Sequence, residues 1–359
     1  MRTLSIRFAR LAALPLAAWL GAAEAGPPAA ADWEGCSAIT GDAERLACYD
    51  RLAGRPRPAE AVAEAHVAAP AALADMPSLA GLALGQEPEP RLLSALSRHW
   101  ELDDAAKQGA FLFRPHHPSY FLPFKHTNRP NNTPFRSVQT QPGLGLEDVE
   151  AKLQLSFKFK ALEGILGNDD ADLWFGFTTT SYWQAYNDTI SAPFRETNYA
   201  PEAMLVLRTD YSLAGFRGRF VNFGLMHQSN GRSEPLSRSW NRVYAQFGLE
   251  RGNLAVLVRP WYRIPDNEHK SDNPDIEDYL GHGDLQLVYR NGRQSYSLLL
   301  RNNFERKQNR GAFELSWGFP LYGRLNGYGQ YFNGYGESLI DYDHRQQTIG
   351  IGIGLAEGL

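Results

Sequence analysis

Cysteine is almost missing from this chain: Cys36 and Cys48 are the only two in 359 residues, and no metal-ligand spacing surrounds either. Positive charge is not in excess either. Lys and Arg total 36 against 40 Asp and Glu, a net charge of -4, which removes the basic footprint that nucleic-acid binding requires. Outside the N-terminus no apolar run approaches the 18 or so residues of a membrane-spanning helix, so a helical membrane bundle is excluded. What is present is a chain with 43% hydrophobic and 21% charged residues, which rules out whole-chain disorder. A membrane β-barrel stays open, because its strands alternate apolar and polar residues and their average hydropathy matches that of a soluble protein.

Residues 1–25 predict an export signal. Arg2, Arg7 and Arg10 precede the apolar core Leu11–Leu20, and Ala23-Glu24-Ala25 forms a small-x-small cleavage site. Bacterial export leads to an oxidising compartment, where Cys36 and Cys48 can pair and hold a small helical segment over 26–53; free thiols are the alternative. Residues 54–97 are rich in Ala and Pro and read as a periplasmic linker.

From 98 to 359 the chain reads as strands. Over 152–159, Leu153, Leu155, Phe157 and Phe159 alternate with Lys152, Gln154, Ser156 and Lys158, and near the end Ile349, Ile351, Ile353 and Leu355 alternate with Thr348 and three glycines. Twelve such segments are expected, near 109–122, 148–161, 171–186, 198–212, 216–227, 239–250, 253–265, 278–290, 294–305, 310–319, 323–333 and 346–356. Connections after even-numbered segments include the short Ala214-Gly215 and Arg251-Gly252, while most after odd-numbered ones are long. Short inner turns and long outer loops orient an all-β, 12-stranded antiparallel transmembrane barrel in the bacterial outer membrane, with a short N-terminal periplasmic extension. A soluble β-sandwich competes, but its strands usually run about 5–6 residues.

The densest polar constellation spans 227–242, HQSNGRSEPLSRSWNR. His227 and Ser229 share parity with Val221, Phe223 and Leu225, and Asn241 shares parity with Val243, Ala245 and Phe247. All three therefore face the apolar, outward side. A hairpin turning near Glu234-Pro235 sets His227 opposite Asn241, and a serine nucleophile, a histidine base and a third residue orienting the imidazole follow catalytic-triad logic. An uncharged Asn orients the ring without burying charge against lipid.

With SAPFRETNYAPE (191–202), RPWYR (259–263), SDNPD (271–275) and GYGESLIDY (334–342), this segment resembles the outer-membrane phospholipase A family over about residues 98–359. The resemblance implies a calcium-dependent hydrolase of glycerophospholipid acyl esters, of A1, A2 and lysophospholipase type, active as a homodimer. It makes Ser229 the nucleophile, His227 the general base, Asn241 the orienting residue and the Gly231 N–H the oxyanion donor. It implies calcium ligands at the Arg232 carbonyl and Ser237 of one chain and at Ser191 of the facing chain. Glu234 departs from the family's frequent Asp, and Thr179 stands where a Gln can make a dimer contact.

Two other classes remain. A passive porin-like channel would use Lys152, Lys158 and Arg290 in its lumen, and a structural or adhesive barrel would act through loop 123–147. Neither accounts for polar residues on the apolar parity. Lys152, Lys158, Lys160, Arg259, Arg290 and Arg301 are expected to point inward and to pair with internal acids.

Overall fold

The computed structural model describes residues 32–52, 93–137, 145–167, 170–190, 192–266, 271–323, 325–356 and 358–359. The expected signal segment and residues 54–92 of the expected linker lie outside them. In the N-terminal unit, helices Asp32–Ser37 and Asp42–Leu52 are joined by a disulfide between Cys36 and Cys48. The second unit, from Pro88 onward, is described separately below.

Here a two-residue strand, β1 (Arg114–Pro115), is followed by twelve long ones: β2 (Ser119–Thr127), β3 (Val149–Leu162), β4 (Ala171–Trp183), β5 (Phe194–Leu213), β6 (Phe216–Ser229), β7 (Ser239–Arg251), β8 (Leu254–Ile264), β9 (Gly283–Asn291), β10 (Gln294–Asn302), β11 (Gly311–Tyr322), β12 (Leu325–Tyr335) and β13 (Arg345–Ala356). Each pairs antiparallel with its sequence neighbour, and β13 pairs with β2, which closes a 12-stranded barrel. The expected fold is the observed one.

The wall is apolar outside and polar inside. Leu155, Phe157, Phe175, Leu225, Val243, Ile349 and Ile351 are exposed on its outer face. Lys125, Lys158, Lys160, Glu150, Glu202 and Asn222, by contrast, are each at most 4% exposed. A soluble protein buries the opposite set, so this distribution is that of a barrel whose outer solvent is hydrocarbon.

Inside, charges are matched at both ends. Toward the long loops Lys125 lies 2.9 Å from both Glu150 and Glu337, and Lys152 lies 3.4 Å from Glu337. Toward the short turns Lys160 lies 2.7 Å from Glu101 and 3.3 Å from Asp172. Helix Ala95–Trp100 enters this end, where Trp100 packs edge-on against Trp174 and tilted against Phe220. Packed rings and ion pairs in the lumen leave a cavity of about 260 Å³, so a wide channel is not what this interior builds.

Several expectations need correction. Of the six inward cations, Lys152, Lys160 and Arg259 reach acids, the last through Asp284 at 2.6 Å. Lys158 instead holds its ammonium 3.2 Å from the centre of the Trp100 ring, and Arg301 donates to the Tyr335 and Gly336 carbonyls; Arg290 donates to the Gly358 carbonyl among its contacts. The first long strand begins at Ser119, not near 109, because Pro115 and Pro118 interrupt the ladder after the two-residue β1. The strand expected from 278 starts at Gly283: Ile276 and Leu280, four apart, are both buried on one turn of helix Ile276–Leu280.

Aromatic rings lie across glycines on neighbouring strands. Gly248 pairs with Phe220 and Gly224 with Tyr244, and a Cβ on either glycine would come within 2.1 Å of the partner ring. Gly248→Ala should displace Phe220 from Trp100 and lower unfolding stability by about 1–3 kcal/mol. Gly329→Ala, with open space around its Cβ position, should change little; urea unfolding of the refolded barrel compares them.

Candidate active site

The β6–β7 hairpin ends at the long-loop end of the barrel, and its register sets His227 opposite Asn241 and Ser229 opposite Ser239. His227 Nδ1 lies 2.8 Å from Asn241 Oδ1. The amide oxygen only accepts, so Nδ1 carries the proton and Nε2 is left with its lone pair. His227 is exposed on the outer wall, with Ser229 half-buried two residues further on the same face. A hydroxyl two residues along the same face from an imidazole of set tautomer supplies the residue types that general-base activation of a nucleophile uses.

Gly231 follows at φ +63°, a backbone region that favours glycine, and a Cβ there would lie 3.3 Å from the Tyr199 ring. Asn230 closes the loop around it. Its backbone N–H donates to the Arg238 carbonyl at 3.0 Å, its Nδ2 donates to the Leu236 carbonyl at 2.8 Å, and its Oδ1 accepts from the Arg238 and Arg232 N–H groups. The Arg232 side chain reaches back to the Arg195 carbonyl at 2.5 Å. Ser237 donates its hydroxyl to Asp272 at 2.6 Å, and Ser239 donates to the same carboxylate oxygen at 3.1 Å. Ser191 lies outside the described residues. The hairpin thus brings together His227, Ser229, Asn241, Gly231, Arg232 and Ser237.

Asp272, Asn230 and Glu196 were missed as parts of this site. Asp272 and Asn273, which accepts from the Ser239 N–H at 2.9 Å, dock loop 271–275 onto the hairpin. Glu196, fully buried on β5, lies 3.4 Å from Arg232 Nε and accepts from the Ile340 N–H at 3.2 Å. Asn230 lies inside the 227–242 constellation itself, whereas only the segments RETNY and SDNPD hinted at Glu196 and Asp272, and neither has a spacing that says which loop it will touch.

Around the hairpin the long loops are tied together. Arg195 bonds Glu150 at 2.9 Å and Asp341 at 2.8 Å, Asn131 donates to Asp341 at 3.0 Å, and Asn198 accepts from the Leu339 N–H at 3.0 Å. Burial alone would raise the Asp341 carboxyl, but Arg195, Ser338 and Asn131 hold it below its ordinary value.

These features define an outer-membrane barrel that carries a hydrogen-bonded cluster of polar side chains on its outward wall. A family model for phospholipase A1 matches residues 96–355, and the chain belongs to that family. It is 40% identical over 344 residues to a Neisseria meningitidis protein provisionally named phospholipase A1, covering 89% of each chain. It also resembles the outer membrane phospholipase A of Escherichia coli (TM-score 0.63, 37% identity, 69% of this chain and 99% of that one). A Salmonella typhi outer membrane phospholipase, solved as a dimer with bound calcium, matches with TM-score 0.65 and 35% identity over 74% of this chain and 98% of that one. The protein is thus an enzyme, a carboxylic ester hydrolase of the bacterial outer membrane.

A carboxyl whose folded value is depressed contributes stability above its ordinary range and loses it as pH falls through the depressed value. Acidification below about pH 4 should therefore loosen the long loops. Asp341→Asn should show that loosening already at neutral pH, at a cost on the order of 3 kcal/mol for one broken buried pair. Limited proteolysis of the loops across pH reads both, and an unchanged profile in the variant would count against the Arg195–Asp341 tie.

Proposed function

We propose that this chain hydrolyses the acyl esters of glycerophospholipids, of A1, A2 and lysophospholipase type, through Ser229, His227 and Asn241. The observation that carries the reading is the 2.8 Å contact between His227 Nδ1 and Asn241 Oδ1 on the outward wall. His227 Nε2 takes the Ser229 proton as Oγ attacks the ester carbonyl carbon. The tetrahedral oxyanion is held by the Gly231 N–H. The proton then passes from His227 to the departing glycerol oxygen, leaving an acyl-serine. Water, deprotonated by His227, attacks that ester, releases the fatty acid and restores the Ser229 hydroxyl.

The donors near Gly231 suit calcium. The Arg232 carbonyl, the Ser237 hydroxyl and the adjoining Asp272 carboxylate are all hard oxygens on one docked hairpin, and the set holds no nitrogen or sulfur. Arg232 and Ser237 of one chain would hold the ion with Ser191 of a second chain, and bound calcium would supply positive charge beside the developing oxyanion. A metal shared between chains makes the homodimer the active form. The triad's outward face admits substrate laterally from the outer leaflet.

Fatty-acid release from mixed micelles tests the reading. Ser229→Ala should lose more than about a thousandfold in rate, and chelator should abolish wild-type turnover. Turnover surviving in folded Ser229→Ala would remove the assignment. Crosslinking tests the shared metal: calcium and substrate should promote dimers of wild type but not of Ser191→Ala, and equal crosslinking would sink it.

A further inference from the structure

At the short-turn end, opposite the triad, the first strand is interrupted in an unusual way. Pro115 pairs with Phe157 and Tyr120 with Gln154, so four residues, 116–119, face only two, 155–156. Such bulges re-aim side chains, and the prolines at 115 and 118 cannot donate to the ladder. The bulge turns His116 into the lumen, where it is 3% exposed. His116 Nε2 lies 2.8 Å from Glu202 Oε1 on β5, and the other Glu202 oxygen accepts the Tyr244 hydroxyl at 2.5 Å. His117 Nδ1 lies 3.2 Å from the Leu359 carbonyl oxygen. A carbonyl only accepts, so the His117 proton sits on Nδ1 and Nε2 presents a lone pair. That is the orientation a supporting carbonyl gives a metal-bound histidine.

Three further observations point to a ligand. One ligand atom from each of His116, His117 and Glu202 lies within 4.8 Å of the other two. A cavity of about 10 Å³, the room for a single small ion or water, is bounded by these three residues with His99 and Tyr244. His116 Nδ1 is buried with no hydrogen-bond partner among the described residues. The cluster also depends on a glycine, since a Cβ on Gly176 would come 3.0 Å from Glu202 Cγ and 3.2 Å from His116 Cδ2.

We propose that His116, His117 and Glu202 form a binding site for a divalent transition-metal ion of the zinc class. Two imidazoles and one carboxylate suit zinc, whereas calcium takes oxygen, so this site is chemically distinct from the donors beside Gly231. Two cations lie nearby, but Arg259 is neutralised by Asp284 at 2.6 Å and the Lys158 ammonium is held over Trp100. The ion staples the bulge to β5 across the lumen, with Tyr244 and the Leu359 carbonyl as outer supports.

The full chain, refolded in detergent after chelation, is equilibrated with zinc and assayed for bound metal, and cobalt serves as an absorbing probe. Wild type should hold one zinc per chain, give visible d–d bands with cobalt and unfold at higher temperature with zinc than without. Folded His117→Ala, a half-buried position chosen to spare the fold, should bind at least about a hundredfold more weakly, and Glu202→Gln likewise. Absence of stoichiometric zinc in folded wild type would overturn the proposal and leave a hydrogen-bonded cluster. Undiminished stoichiometry in folded His117→Ala would overturn it equally.

Discussion

Hydrocarbon offers no partner for a backbone N–H or C=O, and the pairing of β13 with β2 answers that constraint for the whole wall. Once the sheet closes, no long edge strand is left, outward positions facing hydrocarbon favour apolar residues, and most polar side chains are driven to the lumen or to the ends. Charged interior residues follow from closure. Twelve strands enclose a space too narrow for a water column of porin width, so inward lysines and arginines meet acids, carbonyls or ring faces at contact distance.

That crowding makes the wall stiff. Phe220 and Tyr244 lie so closely across glycines that a Cβ on either glycine would collide with them, and Trp100 packs against Phe220 from the plugging helix. Toward the opposite end, the Arg195–Glu150–Asp341 network, with Asn131, ties the ends of β3 and β5 to the loops after β2 and β12. The β6–β7 hairpin sits between this network and the stiff wall. Its His227–Asn241 contact is therefore preorganised by strand register, with no lid or domain movement required to form it.

Most of the barrel was legible in the sequence because a period of two survives wherever one face meets lipid: Leu153 to Phe159 on β3 and Ile349 to Leu355 on β13 are plain on sight. The His227–Asn241 pairing was legible for the same reason, since parity and a hairpin midpoint are enough to place it. What could not be read were features set by contacts far apart in the chain. Pro115 and Pro118 mark an interruption, but nothing local says that two histidines turn inward to meet a carboxylate 86 residues away. RETNY and GYGESLIDY carry the look of chemistry, yet Arg195, Glu196 and Asn198 spend their bonds on Asp341, Ile340 and Leu339. Dense polar motifs in a barrel can therefore be its buttress as readily as its site, and only parity separates the two.

Parity also bears on how the proposed hydrolytic site could sit on such a wall. A polar group at the hydrocarbon boundary is costly unless it is hydrogen-bonded, and the Asn241 amide satisfies His227 Nδ1 without adding a charge. A carboxylate in its place would polarise the imidazole more strongly, but it would bring an ion to the lipid face. An amide orients the ring at far smaller desolvation cost, which leaves stabilisation of the developing oxyanion to come from elsewhere. In the proposed mechanism it comes from the Gly231 N–H and from a cation held by the neighbouring oxygens of the hairpin. The weakness of the orienting residue and the reliance on an added charge are then two consequences of one choice: working on the outside of the barrel.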